Sequence, residues 1–454
     1  MQRLFKFLSL TIFMAGLLSG NSASSFAQGR NLNFIRDTEI ENTIRVYTAP
    51  IFAAADLDIK AINIHLVNDK TLNAFVAGGQ QIFINTGLLM QAEYPEEVIG
   101  VIAHETGHIT GGHLARFQEG LDAAQAQGLA ALIIGIPAAI LTGRGDIAAA
   151  SLALGGQIGQ RSILQYTRSM EQAADQAALN FLDESQISSD GLLKFLSRVQ
   201  EIEQLYSGNQ SEYTRSHPLT KNRLDHIENH LLLSKYSEDR LPRNYVLLHE
   251  RLQAKLRGYL LPAVELKTFY QDSDKSVPAQ YARAINLMRQ HKTKESLVIT
   301  NQLIENSPND PFFYELKGDI LRDSGELKKA IAPYEKTLEL LPWAALVHVS
   351  LAHVQIELDT PENYKKAITH LREAIRYEPW ALRGWKLLAT AYGRTNDYGN
   401  ASLAQAELAD RSGDKAGALR HAAKAQELLP VGSAGHLRAE DIEFRAKEKS
   451  DVPN

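Results

Sequence analysis

Two histidines four residues apart enclose a glutamate in the run His104-Glu105-Thr106-Gly107-His108. On an α-helix, such a pair is offset by about 40° after a full turn and by about 6 Å along the axis, so both imidazoles can hold one metal ion. Glu105 stands about 100° further round. From there it reaches a water beside the metal and can take its proton as that water attacks a peptide carbonyl. The pattern therefore supports hydrolysis of a peptide bond at zinc, and its plain alternative is a polar helix face. The flanks favour the metal. Pro95 with Glu96 and Glu97 is a helix-start signal, and Val98, Ile99, Val101 and Ile102 give that helix an apolar face to bury.

A catalytic zinc takes three protein ligands and leaves one position open, so a third ligand must come from elsewhere. His113 is near, but the metzincin pattern needs histidine at 114, where the chain has Leu114. His113 thus reads as a helix-end residue or one that supports a ligand. Further on, Glu171 and Asp175 lie at i and i+4 in an alanine-rich helical stretch and share a face. One carboxylate can bind the metal while the other accepts the free N–H of a ligating histidine. An exposed acidic stripe is the competing reading.

These motifs resemble the H-E-x-x-H zinc endopeptidases that include the HtpX heat-shock proteases and the CAAX prenyl proteases, which carry E-x-x-x-D on a later helix. The resemblance implies a zincin-like α+β domain with a small β-sheet and one zinc per chain. It makes Glu171 the third ligand and Asp175 its support. Asn73-Ala74-Phe75, Gly78-Gly79 and Gly87-Leu88-Leu89 are similar to the family's segment ahead of the metal helix, and Ser216-His217-Pro218 with Arg223 to its segment after the acidic helix. By the same likeness His217 lies at the site, either donating to a developing oxyanion or taking the open metal position until substrate displaces it. Arg223 either orients a ligand carboxylate or is a surface arginine. Independently of the family, Gly78-Gly79 marks a hairpin turn, so Gln81, Ile82, Phe83 and Ile84 are expected in a strand, which either is purely structural or pairs with extended substrate backbone.

The elements around these residues follow from composition and pattern. Arg3 and Lys6 precede an apolar run from Phe7 to Leu18 and small residues ending at Ala27, which reads as a secretory signal, residues 1–27, cleaved near Ala27. The chain has 454 residues, a net charge of −5 and no cysteine, so neither a disulfide framework nor a lipid-modified cysteine supports it. The absence of a basic stripe and of zinc-finger spacing argues against nucleic acid. Between the motifs, residues 129–154 carry two apolar runs too short to span a bilayer; a buried hairpin is the first reading and peripheral membrane contact the second.

From about Tyr245 helix follows helix, and Pro308 to Pro342 is 34 residues, the tetratricopeptide period. Gly318, Ala330 and Tyr334 fall where that repeat wants two small residues and an aromatic. The expected fold is mainly α: a metalloprotease domain over 28–240, an α-solenoid over 241–430, and a charged tail over 431–454 that is frayed or disordered from Ala439. This order resembles the periplasmic beta-barrel assembly-enhancing proteases of Gram-negative bacteria. The resemblance implies a periplasmic endopeptidase that degrades stalled outer-membrane clients, with some chaperone-like activity, and whose array docks on a barrel-assembly machine. The rival is a non-enzymatic scaffold with a latched cleft.

Overall fold

Apolar runs that alternate with turn residues build a small sheet, and the longer 3.6-period stretches wrap it in helices. The computed structural model describes residues 33–59, 61–77, 80–116, 167–205 and 212–448. The expected export signal, Gly78-Gly79 and the 129–154 stretch lie outside the described residues. In chain order the elements are β1 (Phe34–Ile35), α1 (Thr38–Ala54), β2 (Asn63–Val67), β3 (Ala74–Ala77), β4 (Gln81–Asn85), α2 (Thr86–Gln91), α3 (Pro95–Thr110), α4 (residues 167–184), α5 (Asp190–Leu205), α6 (Glu212–Ser216) and α7 (Lys221–Leu233). The strands run in the order β1-β2-β4-β3, with β2 and β4 parallel and the two outer pairs antiparallel.

This order corrects one expectation. Gln81 to Ile84 form a strand, but β4 is internal, bonded to β2 on one side and β3 on the other. Both of its hydrogen-bonding edges are taken, so it cannot add a substrate strand. The alternation of β4 places Ile82 and Ile84 in the core, fully buried. A hairpin signal specifies β3 against β4 but is silent about β2, which closes the far edge of β4 by a parallel pairing.

α3 begins as its sequence signals, with Pro95 at its first turn and the Glu97 carboxylate accepting from the backbone N–H of Glu93 at 2.9 Å and of Tyr94 at 3.3 Å. Val98, Ile99, Val101 and Ile102 are fully buried against α1, α5 and the sheet, each such side chain contributing about 1.5–3 kcal/mol. The metal motif thus sits on the most enclosed helix of the domain.

The second half is a stack of antiparallel helices: α8 (Arg243–Leu260), α9 (Ala263–Phe269), α10 (Val277–Arg289), α11 (Thr293–Asn306), α12 (Pro311–Asp323), α13 (Leu327–Leu340), α14 (Ala345–Glu357), α15 (Pro361–Tyr377), α16 (Leu382–Arg394), α17 (Tyr398–Ser412), α18 (Lys415–Leu428) and α19 (Ala434–Glu448). From α10 to α19 successive helices pack on one another, as in a solenoid, and α8 packs on α10. Gly318 seats the Tyr334 ring, since a Cβ there would lie 2.6 Å from it. The tail is the second correction. His436, Ala439, Ile442 and Ala446 recur at helical spacing and are buried, and Arg445 bonds Asp410 at 2.7 Å, so residues up to Glu448 close the stack as a helix. Dense surface charge hid that narrow apolar stripe.

The halves interlock. Glu39 at the start of α1 is 2% exposed, lies 2.7 Å from Arg251 and accepts from the Tyr281 hydroxyl at 2.7 Å. Lys255 reaches Asp37 at 2.8 Å, and Leu252 and Leu256 of α8 join the sheet core.

Candidate metal centre

His104 and His108 project from one face of α3, with their Nε2 atoms 3.1 Å apart. Glu171, in the first described turn of α4, brings Oε2 to 3.4 Å from His104 Nε2 and Oε1 to 3.4 Å from His108 Nε2. All three spacings are near the edge of a tetrahedron around zinc, about 3.3 Å for ligand bonds of 2.0–2.1 Å. His217 completes the group: donor atoms of His104, His108, Glu171 and His217 all lie within 4.8 Å of one another. His104, Glu171 and His217 are buried and His108 is half-buried. Among the described residues this is the one cluster of three or more histidine or acidic groups that could hold a metal.

Close helix contact makes this possible. Gly107 lies against Ala174 of α4, where a Cβ would meet the Ala174 carbonyl oxygen at 2.7 Å. Any larger residue would push α4, and Glu171 with it, away from the histidines.

Behind the donors runs a chain of charged contacts. His104 Nδ1 is 2.9 Å from Asp175 Oδ1. Arg223 holds Asp175 through Nε at 2.6 Å and Nη2 at 2.8 Å, and its Nη1 lies 2.8 Å from Glu171 Oε2. Asp175 therefore faces His104, and Arg223 touches both carboxylates. Burial opposes the Asp175 charge, yet the Arg223 and His104 bonds prevail and hold its pKa at about 2. Burial likewise resists charge on His104, but Asp175 and Glu171 raise its pKa to about 9. His108, where burial dominates, is lowered to about 3. Glu171 is held well below the usual carboxylate range; burial would raise it, and the surrounding histidines outweigh that.

Glu105 is fully buried and neither of its oxygens makes a hydrogen bond. His217 Nε2 stands 3.5 Å from its Oε1, and burial raises the Glu105 pKa. A carboxylate so placed is suited to accept a proton. His217 itself follows the short helix α6; its backbone N–H donates to Tyr213 O at 2.7 Å and its ring stacks on Tyr213 at 4.8 Å. Sequence reasoning missed Tyr213, although its i, i+4 spacing from His217 was a usable signal.

Residues 36–231 match Peptidase family M48. This part of the chain is an M48 metallopeptidase domain. M48 peptidases are metal-dependent, and the donor set fits that requirement. A "Putative beta-barrel assembly-enhancing protease" of Vibrio cholerae serotype O1 is 25% identical over 82% of this chain and 77% of its own length. The "Beta-barrel assembly-enhancing protease" of Yersinia pestis is 24% identical over 82% of this chain and 76% of its own. The "Mitochondrial metalloendopeptidase OMA1" of Schizosaccharomyces pombe is 25% identical but covers 39% of this chain. The first two therefore extend well beyond the M48 domain, whereas the third covers less than half of the chain.

Proposed function

We propose that this chain is a periplasmic zinc endopeptidase acting in the assembly and quality control of outer-membrane β-barrel proteins. The carrying observation is a tight two-histidine, one-glutamate donor set with the unbonded Glu105 carboxylate beside it. His104, His108 and Glu171 would hold the ion, whose mixed nitrogen and oxygen donors suit zinc. When bound, zinc supplies Lewis acidity. Glu105 takes a proton from the attacking water and returns it to the leaving amine. Asp175 and Arg223 keep the ligands aimed, and burial excludes competing water.

His217 is a latch in this reading. Its ring lies against the donor cluster, with centroids 5.3 Å from His104 and 5.2 Å from His108, and a substrate must displace it. The substrates are unfolded or stalled outer-membrane proteins, and the helical array docks them or the barrel-assembly machinery. The two assembly-enhancing relatives support this, since their likeness runs from the peptidase domain into the repeats. No described helix is long and apolar enough to cross a membrane.

Casein digestion by the purified chain, with and without a chelator, tests the reading. Glu105→Gln should abolish cleavage by about 10²-fold or more while zinc stays near one per chain. Full cleavage by that variant would remove Glu105 from the mechanism.

A further inference from the structure

His113 stands outside the donor cluster, yet its ring is built into place beside it. Its Nδ1 lies 2.9 Å from His108 Nδ1, the rings meet edge to face at 79°, and the residue is 6% exposed. The turn that carries it is shaped for this. Gly112 has φ of +60°, and a Cβ on Gly111 would fall 2.3 Å from His113 Nε2, so the turn needs glycine for His113 to fold back under α3.

We propose that His113 is a positioning residue that accepts the Nδ1–H of His108 and so fixes the tautomer presenting His108 Nε2 to the metal. This rests on the metal-centre reading above. For His108 Nε2 to offer its lone pair beside His104 and Glu171, the ring proton must sit on Nδ1. The atom facing that proton is His113 Nδ1, which must then be a bare acceptor, with the His113 proton on Nε2.

The two ligand histidines are thereby supported unequally. His104 faces the carboxylate of Asp175, whereas His108 faces a neutral imidazole, a weaker acceptor. His108 would then be the more weakly supported of the two ligands, and its side the one that opens when zinc is lost.

Two measurements test this on the full chain. Nitrogen-15 spectra of histidine-labelled, metal-free protein should show His108 protonated at Nδ1; a proton on Nε2 overturns the proposal without any variant. Transfer of zinc to a chromogenic chelator should be about 10- to 100-fold faster in His113→Ala, the usual effect of removing such a support. Gly111→Ala, which displaces the ring, should be similarly fast, and His113→Gln, which keeps an acceptor, should restore most of the loss. Unchanged release from both His113→Ala and Gly111→Ala overturns the role of His113. A wild-type protein that binds no zinc would instead sink the metal centre.

Discussion

Arg223 grips Asp175 with two parallel bonds, Nε to Oδ2 at 2.6 Å and Nη2 to Oδ1 at 2.8 Å, across 48 residues of sequence. Both side chains are almost completely buried, at 1% and 0% exposure. One partner touches His104 and the other touches Glu171, so in the proposed centre this pair would aim both ligands.

Arg223→Ala should accordingly leave two buried carboxylates without their cation. A loss of about 3–5 kcal/mol in unfolding free energy is expected, as for other broken buried pairs. Urea titration of the metal-free protein checks it. A change below about 1 kcal/mol would mean that the pair contributes little to the fold.

The same pair sets an acid limb of stability. Asp175 has its pKa depressed from 3.8 to about 2. Its contribution, about 2 kcal/mol, is therefore fully present above pH 4 and is lost as pH falls through about 2. In the metal-free protein, Asp175→Asn should flatten the stability profile between those limits, read by denaturant midpoints at each pH.

Gly107→Ala tests the helix contact. The new methyl would sit 2.7 Å from the Ala174 carbonyl oxygen and force α4 outward, at a cost of about 1–3 kcal/mol. Zinc affinity should fall with it, since Glu171 retreats. Isothermal titration with zinc reads the loss, and a variant that binds as tightly as wild type would show that α4 adjusts freely.

His217→Ala separates latch from oxyanion donor. Loss of a latch should raise basal casein cleavage several-fold, whereas loss of a donor should lower it by about 10²-fold. Unchanged cleavage, basal and client-stimulated, would exclude both roles.

For Glu105, burial raises the pKa of a base that must be ionised to work. The acid limb of kcat/KM should then fall above the ordinary carboxylate range, with activity lost as pH drops through it. A pH–rate profile at constant zinc occupancy is the measurement. A limb at an ordinary carboxylate pKa would contradict the enclosed position of Glu105.

Much of this centre was legible before any fold was known. His104, Glu105 and His108 declare themselves by helical spacing, and so does the acidic pair Glu171 and Asp175, because periodicity along one helix is local. The status of β4 was not legible: nothing between Gln81 and Asn85 records that β2 pairs on its far side. Nor was the helix ending at Glu448, whose buried stripe is narrow and set among charges. His113 and Tyr213 lay between these cases, since their nearness to ligands was visible but not what they touch.

The order of residues by itself determined which chemistry this chain is equipped for, since ligand types and their spacing on one helix are a property of a few consecutive positions. Only the tertiary structure decided that Glu171, Asp175, Arg223 and His217 converge on that helix, and which strand edges remain free. Convergence depends on packing contacts such as Gly107 against Ala174, and on pairings between segments far apart in the chain, and these arise from the whole core settling together.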